Sequence, residues 1–300
     1  MPKSDEEDCI VSFWIVTDVG SDISLDFFKR HEKLEILPMP YRMDGVEKLY
    51  NVQDEPSLAD FYRELRGEKM ATTAQVTVDS AFTSFENLTN KGEQVLYIGL
   101  SSGISGTVQS AQTARDMVLE KNPKAKIAVV DSLLASAGEA LLVHYALKLR
   151  EEGKSMDETV QWLVNNRQRI NSWFTVEDLN FLFRGGRVSR TSALLGSMMR
   201  IKPIMHVNFD GKLIPMDKTT GRKRSLKALA DKVVERANPK EGQTIFISHG
   251  DCLEDAEYLA GLVKEGLKNI KGVEFFTLGP IIGAHAGPGT VAIFFLGDSR

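Results

Sequence analysis

Three segments of this 300-residue chain hold side chains whose types and spacing can do chemistry. The first is residues 95–107, VLYIGLSSGISGT. An apolar run stops in a cluster of small residues, and helical spacing resumes at Val108, Ala111, Arg115 and Val118. That order reads as a buried strand, a tight turn and a helix N-terminus. The turn offers the hydroxyls of Ser101, Ser102 and Ser105, with backbone N–H groups not used inside the helix. A helix start also carries partial positive charge, so a phosphate or carboxylate can be held there. A tight turn alone accounts for Gly103, Gly106 and one serine. The remaining hydroxyls exceed that need and point to an anion.

The second segment is residues 72–77, TTAQVT. Read alone it is an exposed loop ahead of a helix, with Thr77 as a cap. The Thr73 hydroxyl can donate to a carboxylate. The third is residues 279–289, where His285 lies among Gly283, Ala284, Ala286, Gly287 and Gly289. A lone histidine is most often structural. Here small neighbours let another group approach, and the ring N–H can donate to a carboxylate, charged or neutral.

Other groups carry less. Asp18 and Asp22 follow a strand, and metal binding there is conceivable. No histidine or further close acid supports a metal, so turn and cap chemistry is favoured. Arg184, Arg187 and Arg190, then Lys218, Arg222, Lys223 and Arg224, form basic runs of the kind that usually make solvated faces. Gly185-Gly186 beside Arg187 suggests a helix end, where cations are favoured. GxxxxGK[ST], HExxH, CxxC and GxSxG are all absent. No catalytic residue and no metal site is assigned. His285 could act as a base for Ser102, but no acid stands out to orient it. His249 follows a strand, and its expected role is to open the next helix, which Asp251 caps.

These residues need elements to hold them. Strand-like segments at residues 12–17, 95–100 and 127–131 alternate with helical ones at 57–65, 78–87, 108–120 and 135–150. Ser57 and either Thr77 or Asp79 are the expected caps, and Gly138 interrupts the last helix. Such alternation predicts a parallel sheet with helices on both faces. Past Gly153 the pattern changes. Residues 156–167, 194–200, 225–237 and 253–267 read as helices. Residues 172–176, 204–208, 213–217, 245–248, 273–277 and 290–296 read as strands. Thr175 and Asp178 predict a capping box for a helix ending near Gly185. Asp210-Gly211 is a hairpin signal. Hairpins mixed with helices predict an α+β second domain. The break is expected in the polar stretch 151–157, giving domains 1–153 and 154–300.

The same segments resemble, in order, the motifs of the DegV family of bacterial fatty-acid-binding proteins. SSGISGT followed by VQSA is similar to its signature loop. IVTDVGSDIS from Ile15, TTAQVT from Thr72 and VVDSLLASAGEALLV from Val129 resemble its first half. LFRGGRVS from Leu182, IKPIMHV from Ile201 and GPIIGAHAGPGTVAIFF from Gly279 resemble its second. The resemblance covers residues 13–296. It implies an α/β fold of two domains: an N-terminal three-layer α/β/α domain with a parallel sheet, then a C-terminal two-layer α+β domain with a mixed sheet. It implies that a fatty-acid carboxylate is held between the domains by Ser101, Ser102 or Ser105, with Thr73 and His285. It also implies partner docking through arginines, here Arg184, Arg187 and Arg222.

Two departures stand out. Thr73-Ala74-Gln75-Val76 replaces the usual Thr-Ser-Gln-Pro and loosens that loop. Lys218-Thr219-Thr220-Gly221 replaces Lys-x-Arg-Gly, so Thr220 stands where the family has arginine and Arg222 is its candidate substitute. The resemblance implies the lipid-carrying component of a fatty-acid kinase system, not a stand-alone enzyme. It would take no cofactor, bind a long-chain fatty acid and present the carboxylate to a separate kinase. Two other readings remain: a serine-dependent hydrolase or phosphotransferase, and a lipid-sensing regulator without kinase coupling.

Composition fits these readings. Net charge is -4 and the pI about 5.8, which argues against a nucleic-acid footprint. Hydrophobic residues make up 42%, enough for a large core. No stretch of 18 apolar residues occurs, so no transmembrane segment is expected. The start, MPKSDEEDC, is acidic and unlike a signal peptide, and Cys9 and Cys252 are too few for a disulfide framework. A cytoplasmic location is the expectation.

Overall fold

The computed structural model describes residues 12–54, 57–67, 69–189, 201–238 and 242–300. Cys9, Arg190 and the helix expected at residues 194–200 lie outside the described residues. The first half runs β1 (Trp14–Asp18), α1 (Leu25–Lys29), β2 (Leu34–Leu37), β3 (Met39–Met43), β4 (Val46–Tyr50), α2 (Leu58–Arg66), β5 (Ala71–Thr73), α3 (Val78–Thr89), β6 (Val95–Gly99), α4 (Thr107–Lys121), β7 (Ile127–Asp131) and α5 (Ala137–Glu151). Strands β2, β1, β6 and β7 form a parallel sheet in that order. Its central strand β6, VLYIG, is buried at every residue because helices cover both faces. Helices α3 and α4 pack on one face and α5 on the other. Ser57 and Thr77 cap α2 and α3 through their hydroxyls.

The second half runs α6 (Met156–Asn166), β8 (Ile170–Thr175), α7 (Asn180–Arg184), β9 (Ile201–Val207), β10 (Leu213–Thr220), α8 (Arg222–Arg236), β11 (Gln243–His249), α9 (Leu253–Gly266), β12 (Ile270–Thr277), α10 (Pro280–Ala286) and β13 (Val291–Leu296). Its sheet has the order β10-β9-β8-β13-β11-β12 and is mixed, with β11 and β12 parallel and the other neighbours antiparallel. The Asp210-Gly211 hairpin joins β9 and β10, and Gly211 takes a φ of 70°. Helices α8 and α9 cover the outer face over Leu226, Leu229, Val233, Leu259 and Val263.

Helix α5 is shared by both sheets. It touches β1 and β6 on one side and β11 and β13 on the other. That double burial explains its nearly unbroken apolar run, and it explains Gly138. A Cβ there would lie 2.7 Å from the Phe294 ring, so the glycine is a close contact rather than a break in the helix.

Three further expectations are corrected. Residues 71–73 are not loop: they form β5, an edge of a small antiparallel sheet of order β4-β3-β5. The short strands alternate too weakly to stand out. The capping box of Thr175 and Asp178 does not form, because Thr175 still belongs to β8, buried in the sheet. Asp178 instead accepts from the Asn180 N–H at 2.9 Å. Asp251 does not cap α9. Its carboxylate pairs with Arg66, while His249 Nδ1 accepts from the Cys252 N–H at 3.3 Å.

Candidate ligand site

The two central strands of the parallel sheet send the chain in opposite directions: β1 leads to β2 and β6 leads to β7. In open parallel sheets ligands bind at such a switch, beyond the carboxyl ends of the strands. The loops there are Asp18–Asp22 and the serine loop. Above them lies a cavity of about 290 Å³, at the lower edge of the ~300–1,000 Å³ usual for small-molecule sites.

Most of its wall is apolar. Leu100, Ile104, Phe174, Leu213, Ile281 and Phe294 contribute from both halves of the chain. A polar end holds Thr73, Gln75, Ser105, Arg187 and His285, and Ser136, Ser172 and Thr290 also line the cavity. Thr73 arrives on β5, paired to Tyr41 of β3. His285 arrives on α10. Their side chains meet across 212 residues, with Thr73 Oγ1 2.7 Å from His285 Nε2. Ser105 Oγ lies 2.9 Å from Thr107 Oγ1 and accepts the Thr107 N–H at 3.3 Å at the start of α4. Gly106 lets the Gln75 amide close in here: a Cβ would fall 2.1 Å from Gln75 Oε1 and push that side chain aside.

The serine loop divides. Ser105 lines the cavity. Ser101 is fully buried, and its hydroxyl donates to the Gly211 carbonyl at 2.9 Å, so it docks the hairpin of the second half. Ser102 is exposed and lies outside the lining, with its N–H on Asp131 Oδ1 at 3.2 Å. The geometry therefore brings Thr73, Ser105 and His285 together and leaves Ser101 and Ser102 apart. Gln75 and Arg187 join the polar end. Only the general rule that cations and amides flank anion sites could have flagged them there.

Burial, and then the nearby Arg187 guanidinium, push the His285 imidazole down to about 4. At neutral pH the ring is uncharged, and its buried Nδ1 has no hydrogen-bond partner among the described residues. Arg187 is held by the carbonyls of Ile104 (3.2 Å) and Gly185 (2.6 Å). Burial lowers its pKa. On the far side of the Thr73–His285 pair is a second space of about 170 Å³, lined by Lys69, Thr72, Arg184 and Arg187. Arg184 stacks over the Phe181 ring at 4.7 Å. Among the described residues neither Arg184 nor Arg187 has a carboxylate partner. Arg222 stands elsewhere, on α8, with Nε 2.9 Å from Asp255 Oδ2. No group of three or more His, Cys, Asp or Glu able to hold a metal occurs among the described residues. Asp18 is spent on its own turn and on β6, accepting from Gly20 N, Leu100 N and the Tyr97 hydroxyl.

The DegV family model matches residues 12–298, nearly the whole chain. The chain belongs to the DegV family. A DegV domain-containing protein of Clostridium perfringens is 40% identical over 289 residues, covering 96% of this chain and 98% of that protein. Among solved structures, the fatty acid binding DegV family protein of Streptococcus agalactiae superposes with a TM-score of 0.82 at 29% identity, covering 96% of this chain and 100% of that one. The Fatty Acid Kinase (Fak) B3 protein of Streptococcus pneumoniae, loaded with linoleic acid, shares the fold at a TM-score of 0.83 and 19% identity, covering 96% and 100%. The mixed second sheet and the parallel first sheet are those of the two-domain DegV fold. No helix among the described residues is long and apolar enough to cross a membrane.

Proposed function

We propose that this DegV protein binds a long-chain fatty acid in the apolar cavity and presents its carboxylate to a separate kinase for acyl-phosphate formation. One observation carries the reading: an apolar cavity closed at one end by the Thr73–His285 pair, with Ser105 beside it and cations on the far side. The relatives named above as fatty-acid-binding support the ligand class.

Each buried CH₂ contributes about 0.8 kcal/mol, so the tail supplies most of the affinity. The Ser105 hydroxyl and the Thr73–His285 pair donate to the carboxylate and set its orientation: with His285 Nε2–H given to Thr73 Oγ1, the Thr73 hydroxyl is free to donate. Arg187 supplies the opposite charge. The space holding Arg184 and Lys69 lies just beyond, where a kinase would have to deliver a phosphoryl group.

The geometry does not favour hydrolysis. A nucleophilic serine needs a base in contact and an acid behind it. Ser105 contacts Thr107 instead, and among the described residues no acid is hydrogen-bonded to His285 Nδ1.

The test is mass spectrometry of lipid released by denaturing the purified protein. A long-chain fatty acid at near one per chain is expected. Protein that carries none, and takes up neither added palmitate nor oleate, rejects the carrier reading.

A further inference from the structure

The acidic turn after β1 ends on Asp22, whose N–H closes the turn onto the Val19 carbonyl while its side chain reaches outside it. Asp22 is buried, and it sits at a φ of 55°, a conformation that glycine or asparagine would also adopt. Its Oδ1 accepts the N–H of Gly279, 257 residues away, at 2.7 Å. Gly279 is the residue that opens α10, and α10 has no side-chain cap of its own. Neighbours brace the same point. The Tyr62 hydroxyl donates to the Leu278 carbonyl at 2.9 Å, and the Leu278 N–H donates to the His249 carbonyl at 2.9 Å. Tyr50 packs so closely that a Cβ on Gly279 would lie 2.6 Å from its ring.

We propose that Asp22 is a positioning residue for the ligand head group: its carboxyl fixes the start of α10 and so places the His285 ring. This rests on the fatty-acid reading of the cavity. Helix α10 is short, seven residues, and it carries His285 one residue from its end. Gly279 and His285 are separated by about 9 Å of helix at 1.5 Å per residue. A slip at Gly279 therefore reaches the ring undamped. A bond of 2.7 Å between Thr73 Oγ1 and His285 Nε2 does not survive a shift of about 1 Å. Asp22 does not itself line the cavity; its carboxyl also faces Ser136, which does, so a His285→Ala background separates the route through the helix from the route through Ser136.

The test uses the full chain, oleate as the probe, and the NMR signals of the His285 ring. Asp22→Gly keeps the backbone conformation and removes the carboxyl. It is expected to weaken oleate binding about tenfold and to shift the ring signals. Asp22→Asn keeps the acceptor for Gly279 and is expected to restore both. In a His285→Ala background, Asp22→Gly is expected to cost no further affinity, because the effect passes through the ring. Normal oleate binding with unmoved ring signals in Asp22→Gly overturns the proposal. So does an equal loss of affinity in the His285→Ala background, which would mark Asp22 as merely structural. If Asp22→Gly fails to fold, Tyr62→Phe, which removes the hydroxyl that braces Leu278 and abuts Gly283 of α10, must move the same ring signals, and unmoved signals again reject it. Wild-type protein that ignores oleate counts against the carrier reading. The ring signals still decide the role of Asp22.

Discussion

At the residue scale, the proposed head-group end rests on two hydroxyls and a ring from three distant segments. His285→Ala and Thr73→Val are each expected to weaken fatty-acid binding by about 1.5–3 kcal/mol, the range for hydrogen bonds to a charged group. Because the two side chains touch, the double variant should lose less than the sum. Isothermal titration with oleate measures this, and strict additivity would show that they act separately. A second prediction concerns pH. Burial pushes the Asp22 carboxyl up from 3.8 to about 8, against the Ser136 hydroxyl and the Gly279 amide, with Asp18 adding to the rise. The folded state then holds a proton that the unfolded state releases. The stabilising contribution is complete below 3.8 and is lost as pH rises through about 8. Melting temperatures from about pH 6 to 9 should therefore fall less steeply in Asp22→Asn than in wild type. A residual slope is expected, since burial also raises Asp18 and Glu139. The sequence marked the serine loop, Thr73 and His285 as chemistry. It could not divide Ser101 from Ser105, because the Gly211 carbonyl that claims Ser101 arrives from 110 residues away.

At the element scale, the long periodic segments were legible and the short ones were not. Strands β6 and β7 and helices α3 to α5 follow from apolar runs and caps, and the β9–β10 hairpin from its Asp210-Gly211 turn. Strands β3 to β5 carry no such pattern: β4 is exposed along most of its length, and β5 has three residues. Yet β5 carries Thr73, so the least legible sheet holds part of the site. Gly138 is the reverse case, where local preference and packing disagree. Alanine is the better helix former by about 1 kcal/mol. Against that, a Cβ would fall 2.7 Å from Phe294 in the layer between the sheets. Overpacking of this kind costs about 1–3 kcal/mol, so packing should win. Gly138→Ala is expected to lower the denaturant midpoint, and a rise would show that Phe294 gives way freely.

At the scale of the whole molecule, the two halves are joined by contacts that no local pattern reveals. The hairpin turn seats on the serine loop at Gly103, where a Cβ would meet the Asp210 carbonyl at 2.4 Å. The buried Arg300 guanidinium donates to the carbonyls of Leu133 and Asn208. Closure of the cavity therefore belongs to the assembled molecule, and so does its outward face. The three arginines expected to dock a kinase stand in three different situations there. Arg187 lines the cavity and holds the Ile104 carbonyl, so reversing its charge should damage lipid binding and coupling together. Arg222 is paired with Asp255, so its reversal breaks an ion pair before it reaches any partner. Of the three, Arg184 alone is both outside the cavity lining and free of a carboxylate partner among the described residues. Arg184→Glu is thus the separable variant. With a cognate fatty-acid kinase, ATP and oleate, it should slow acyl-phosphate formation, and more so at low salt, because a reversed rim charge chiefly disturbs the encounter. Oleate affinity should stay within about twofold, as for a surface substitution away from buried features. Unchanged turnover in Arg184→Glu would remove this face from the docking surface. A wild-type protein that binds oleate yet supports no kinase would replace the carrier role with that of a lipid sensor.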